Sequence, residues 1–92
     1  MARPDFLTAY YNEAQDTLNT YERIRSMGDR YVWESGLLAR VRNSHGRIEA
    51  VIEAAPADEP IADFVDLLAR LAAALALCTT IHNAYQPRRK AS

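Results

Sequence analysis

Residues 37–55 read LLARVRNSHGRIEAVIEAA, and the period of their apolar positions decides the fold. Taken as a helix, Leu37, Val41, Ser44, Ile48, Val51 and Ala55 recur at alternating steps of four and three, which puts them on one face. The run from Arg47 to Ala55 is also rich in strong helix formers. Taken as strands, Asn43-Ser44-His45-Gly46 carries the Asn and Gly of a type I turn. A hairpin across that turn pairs Val41 with Ile48, Ala39 with Ala50 and Leu37 with Ile52 on one face, and Arg40 with Glu49 on the other. An isolated hairpin is marginal in water unless a helix or a second copy covers it, and both flanks are helical in composition. The helical reading is preferred, with a break near His45-Gly46 at which Ser44 caps a following helix. The alternative is an α+β chain with a central hairpin at 37–53 between two helices.

On the N-terminal side, Pro4 to Met27 reads as a helix that starts at Pro4-Asp5 and stops at Gly28. Phe6, Leu7, Tyr10, Tyr11, Ala14, Leu18, Tyr21 and Ile24 form its apolar side, opposite Asn12, Glu13, Asn19 and Arg23. On the C-terminal side, Pro56-Ala-Asp-Glu-Pro60 ends one helix and starts the next, with Pro60 in its first turn. That last helix runs from Ile61 to Tyr85 ahead of Pro87. One of its faces carries Phe64, Leu67, Leu68, Leu71, Leu75 and Cys78, and an adjacent face carries Ala62, Val65, Ala69, Ala72, Ala73 and Ala76. A helix apolar on so much of its circumference is expected to be buried on more than one side. In 92 residues few others can cover it, so a homodimer through Ala69, Ala72, Ala73, Ala76 and Leu77 is expected. The expected architecture is all-α: one domain over 1–92, a small bundle of three or four helices, with flexible ends at 1–3 and 87–92.

Charge and composition narrow the function classes. Eleven Lys and Arg against twelve Asp and Glu leave a net charge of −1, which argues against a dedicated nucleic-acid binder. Cys78 is the lone cysteine, so no intrachain disulfide can form and a reducing compartment, the cytoplasm, is expected. The first residues lack the apolar core of a signal peptide, and the apolar stretch Leu67–Cys78 is interrupted by Arg70, so no membrane span is expected. Charge is nevertheless uneven: residues 23–47 hold six arginines against Asp29 and Glu34, whereas residues 49–66 hold six acids and no base. Such blocks dock helices on one another or steer a partner.

No catalytic motif is present. Cys78 and His82, four apart on one helix, suggest a nucleophile pair or half a metal site, but a zinc site needs further ligands and His45 is the only other histidine. No cofactor or metal is expected. Aromatic and Arg residues are the stronger signal, because Trp, Tyr and Arg dominate protein interfaces. Tyr10, Tyr11, Arg30, Tyr31 and Trp33 are the expected partner contacts, with Arg40 and Arg42 as steering charges. The expected function is a small regulator that binds another protein and inhibits or modulates it, of the anti-activator, host-factor-inhibitor or chaperone type. Two alternatives remain: a DNA-binding regulator using the Arg block 23–47 and the Arg88-Arg89-Lys90 tail, or a small helical enzyme with an Arg clamp.

Overall fold

A computed structural model describes residues 5–85 and arranges them as α1 (Asp5–Arg25), α2 (Asp29–Glu34), α3 (Leu37–Ala54) and α4 (Ala62–Tyr85). The chain is all-α, and no strand occurs among the described residues. The ends at 1–3 and 87–92, with Arg88, Arg89 and Lys90, lie outside them.

α3 is one unbroken helix through His45 and Gly46, which excludes the hairpin at 37–53 and also corrects the expected break. Ser44 caps nothing: it lies in mid-helix, 4% exposed. Leu37, Val41, Ser44 and Ile48 all face inward, and burying that stripe outweighs the cost of about 1 kcal/mol of a glycine inside a helix. Gly46 sits on the exposed side, where a turn signal has no structural consequence.

Two glycines with positive φ make the corners around α2. Gly28 (φ 120°) follows the last turn of α1, and Gly36 (φ 70°) takes the left-handed conformation between α2 and α3, where its N–H donates to the Trp33 carbonyl. After α3, Pro56 holds Ala55 extended, since the proline ring clashes with a helical residue before it. Pro60 precedes α4 rather than lying in its first turn, and the Val65 N–H donates to the Ile61 carbonyl to close that turn.

α1 and α3 run antiparallel, as the pairs Thr17–Ser44 and Glu13–Arg47 fix, and α4 runs parallel to α1, with Phe64 meeting the ring of Tyr11. The core joins Leu18 and Tyr21 of α1, Val32 of α2, Val41 and Ile48 of α3, and Phe64, Leu67, Leu71, Cys78 and Ile81 of α4. Each fully buried large apolar side chain contributes roughly 1.5–3 kcal/mol. The α1 side read from sequence is largely inward, but Phe6 at its start is 58% exposed, and the buried Thr17 belongs to it.

α4 corrects a further expectation. It is buried on one side only: Ala62, Val65, Ala69, Ala72, Ala73 and Ala76 are all exposed. By length and composition α4 alone would suffice to cross a membrane, yet in the fold it supplies Phe64, Leu67, Leu71, Ala74, Cys78 and Ile81 to the core.

Among the described residues, the cross-helix ion pairs of the basic block are made to α1 and not to the acidic block. Arg40 reaches Asp16 at 3.1 Å and Arg47 reaches Glu13, so two of the three arginines on α3 clamp that helix to α1. Both pairs are largely exposed and contribute at most about 1 kcal/mol each.

Candidate functional site

Where α2, α3 and α4 converge, the helices leave an open groove of about 640 Å³. Its floor is Val32 and Cys78, both buried, and its α3 wall is Leu38 and Arg42. These two are four apart on α3, one step round from the inward stripe of Leu37 and Val41, which is why they border the groove rather than fill the core. Trp33 forms the α2 side, half-buried, stacked on Tyr85 with ring centroids 6.2 Å apart and planes at 25°. Gly36 and Ala39 present nothing beyond Cβ at the opening, which keeps it wide.

The electrostatics are asymmetric. Glu34 on the rim is held by Arg30, which donates from Nε to Oε2 at 3.0 Å. Arg42 and His82, which also line the groove, have no side-chain hydrogen bond or ion pair among the described residues. The groove therefore offers one uncompensated guanidinium and one free imidazole above an apolar floor.

The residues expected to contact a partner divide into three places. Arg30, Tyr31, Trp33 and Arg42 gather around the groove end of the bundle, and Tyr31 is 51% exposed. Tyr10 and Tyr11 lie at the other end. Tyr11 is half-buried with its ring edge-on to Phe64 at 5.6 Å, and Tyr10 packs between Phe6 and the Arg47 guanidinium. Tyr10 helps wall a second, apolar groove of about 510 Å³ with Phe6, Val51, Pro56 and Phe64, whereas Tyr11 is packed against the core. Arg40 stands on the α1–α3 seam, its guanidinium shared between Asp16 and the Thr17 hydroxyl, away from either groove. Sequence reading missed Leu38 as a groove wall, and it weighed His82 only as a partner of Cys78. The spacing Leu38–Arg42 was a signal available on α3.

The expected dimer residues Ala69, Ala72, Ala73 and Ala76 form an outward stripe on α4, with Leu77 half-buried beside it. Cys78 is 1% exposed, and burial pushes its thiol above the ordinary value, so the thiolate a nucleophile requires is disfavoured. Burial, partly offset by Arg25, likewise raises the Tyr21 phenol. No cluster of three or more His, Cys, Asp or Glu able to hold a metal occurs among the described residues.

Comparison of the chain with models of known protein families, with curated proteins and with solved structures found no match.

Proposed function

We propose that this protein is a small regulator that binds another protein through the α2 end of the bundle and so inhibits or modulates it. The observation that carries the reading is the placement of Arg42, unpaired, in a groove beside half-buried Trp33, on the end of the molecule where Tyr31 and Met27 are more than half exposed. Exposed aromatic, Met and Arg side chains around a partly apolar cleft are the composition that interface cores favour. A second copy packed on the α4 stripe, where small residues permit close helix approach, is part of the same proposal. The DNA-binding alternative is weakened because Arg40 and Arg47 already neutralise acids of α1. The Arg-clamp enzyme alternative draws less support, because Glu34, the acid that lines the groove with Arg42, is engaged by Arg30.

Affinity capture from the source cell with quantitative mass spectrometry tests the reading. A protein retained by the wild type should be lost with Tyr31→Ala and with Arg42→Ala while helicity is unchanged. Retention of the same protein by both variants would place the contact elsewhere.

A further inference from the structure

The arginines of residues 23–47 differ in what they face. Arg30, Arg40 and Arg47 each meet an acid of this chain, whereas Arg42 faces a cleft lined by Val32, Leu38 and Cys78. A guanidinium presents a planar fork that binds a carboxylate through two parallel hydrogen bonds, and such charge-assisted bonds are the stronger kind. The acid that lines the same groove, Glu34, is already engaged by Arg30. Opposite, the His82 ring supplies a second polar group without a hydrogen-bond partner among the described residues. The apolar floor cannot solvate a charge but takes an aliphatic side chain, and about 640 Å³ lies within the usual size range of ligand sites. The absence of side chains beyond Cβ at Gly36 and Ala39 lets a backbone approach the opening.

From this we infer that the groove receives a partner segment in which a Leu-like aliphatic side chain adjoins an acidic one: the aliphatic group sits on Val32, Leu38 and Cys78, and the carboxylate is held by Arg42 with His82 beside it. The inference rests on the protein-binding reading above and specifies its partner's chemistry. Arg42 is the specificity-determining residue, and Trp33 is the wall that closes over the aliphatic group.

Trp33 is the chain's single tryptophan and reports on its own groove. The full chain, labelled with nitrogen-15, would be titrated with acetyl-Leu-Leu-Glu-Leu-amide, with the same peptide carrying Gln in place of Glu, and with isocaproate as a free acid. The acidic peptide should saturate, moving the Trp33 indole and the amides of α2 and the first half of α3, with an affinity roughly tenfold to a hundredfold above the Gln peptide, as loss of a charged hydrogen bond predicts. Arg42→Gln should abolish that preference, and Arg23→Gln, on the exposed side of α1, should keep it. Equal affinity for both peptides, or an unchanged preference in Arg42→Gln, overturns the inference. Isocaproate binding without peptide binding overturns the peptide as occupant and assigns a small organic acid. If the peptides fail while Tyr31→Ala still abolishes capture of the cellular partner, the inference falls and the protein-binding reading stands.

Discussion

The hydroxyl oxygens of Thr17 and Ser44 lie 3.1 Å apart, 0% and 4% exposed, where α1 crosses α3. Arg40 donates from Nε to the Thr17 oxygen at 3.3 Å from the solvent side, so a short polar chain runs from the surface into an otherwise apolar seam. A buried hydroxyl without a partner is costly, whereas removing both partners leaves little unpaid desolvation. Ser44→Ala or Thr17→Val alone should therefore lower stability by about 1–2 kcal/mol, and the double variant should lose less than the sum. Denaturant titration of the four proteins measures the coupling; strict additivity would mean the two hydroxyls are satisfied independently.

Gly46→Ala should stabilise the fold. The glycine is helical and exposed, and a Cβ there meets nothing within 4 Å, so the gain is the reduced freedom of the unfolded chain, about 0.5–1 kcal/mol. Thermal unfolding should rise by several degrees, at about 4–8 °C per kcal/mol for a domain of this size. Gly36→Ala should do the opposite, because its φ of 70° costs an L-residue about 1 kcal/mol or more.

Alkaline pH should weaken the fold in two steps. Burial raises the Cys78 thiol above its ordinary 9.0 and the Tyr21 phenol above its ordinary 10.0, so the folded state retains protons that the unfolded chain has lost. Stability is then fully present below those ordinary values and falls as pH rises past each of them. Cys78→Ala should flatten the first part of that decline at a modest cost in packing, and native Cys78 should alkylate far more slowly than in denaturant. Rapid native labelling would contradict its burial.

Ala73→Glu should leave the monomer's helicity intact, since the position is exposed, and should abolish self-association if α4 is the seam. Light scattering on wild type and variant at roughly 50 µM, above typical interface dissociation constants, reads both. A monomeric wild type at that concentration removes the dimer from the proposal.

Tyr31→Ala should cost about 2 kcal/mol of partner binding with the fold unchanged, because its ring is half exposed. Trp33→Ala should lose stability as well as binding, as its ring packs on the core and stacks on Tyr85. Circular dichroism beside the binding assay separates the two effects; equal destabilisation by both would mean that Tyr31 also holds the fold.

The sequence by itself determined α1, α4 and the inward stripe of α3. The steps of four and three from Leu37 to Ile48, the prolines at 56 and 60 and the glycine at 28 are local signals, and local backbone preference and side-chain periodicity act within a few residues of where they are written; the corner at Gly36 and the short α2 before it were not read. Tertiary structure decided the rest. Whether His45-Gly46 turns depended on the burial of Ser44 against Thr17, a contact between residues 27 positions apart. The assignment of Arg40 and Arg47 to Asp16 and Glu13, leaving Arg42 to the groove, depended on how α3 is rotated against α1, because three arginines within one short stretch are equivalent until packing gives each a different neighbour. The same holds for the tyrosines: Tyr11 and Tyr31 are alike as residues, and only the approach of α4 buries one against Phe64 and leaves the other in water.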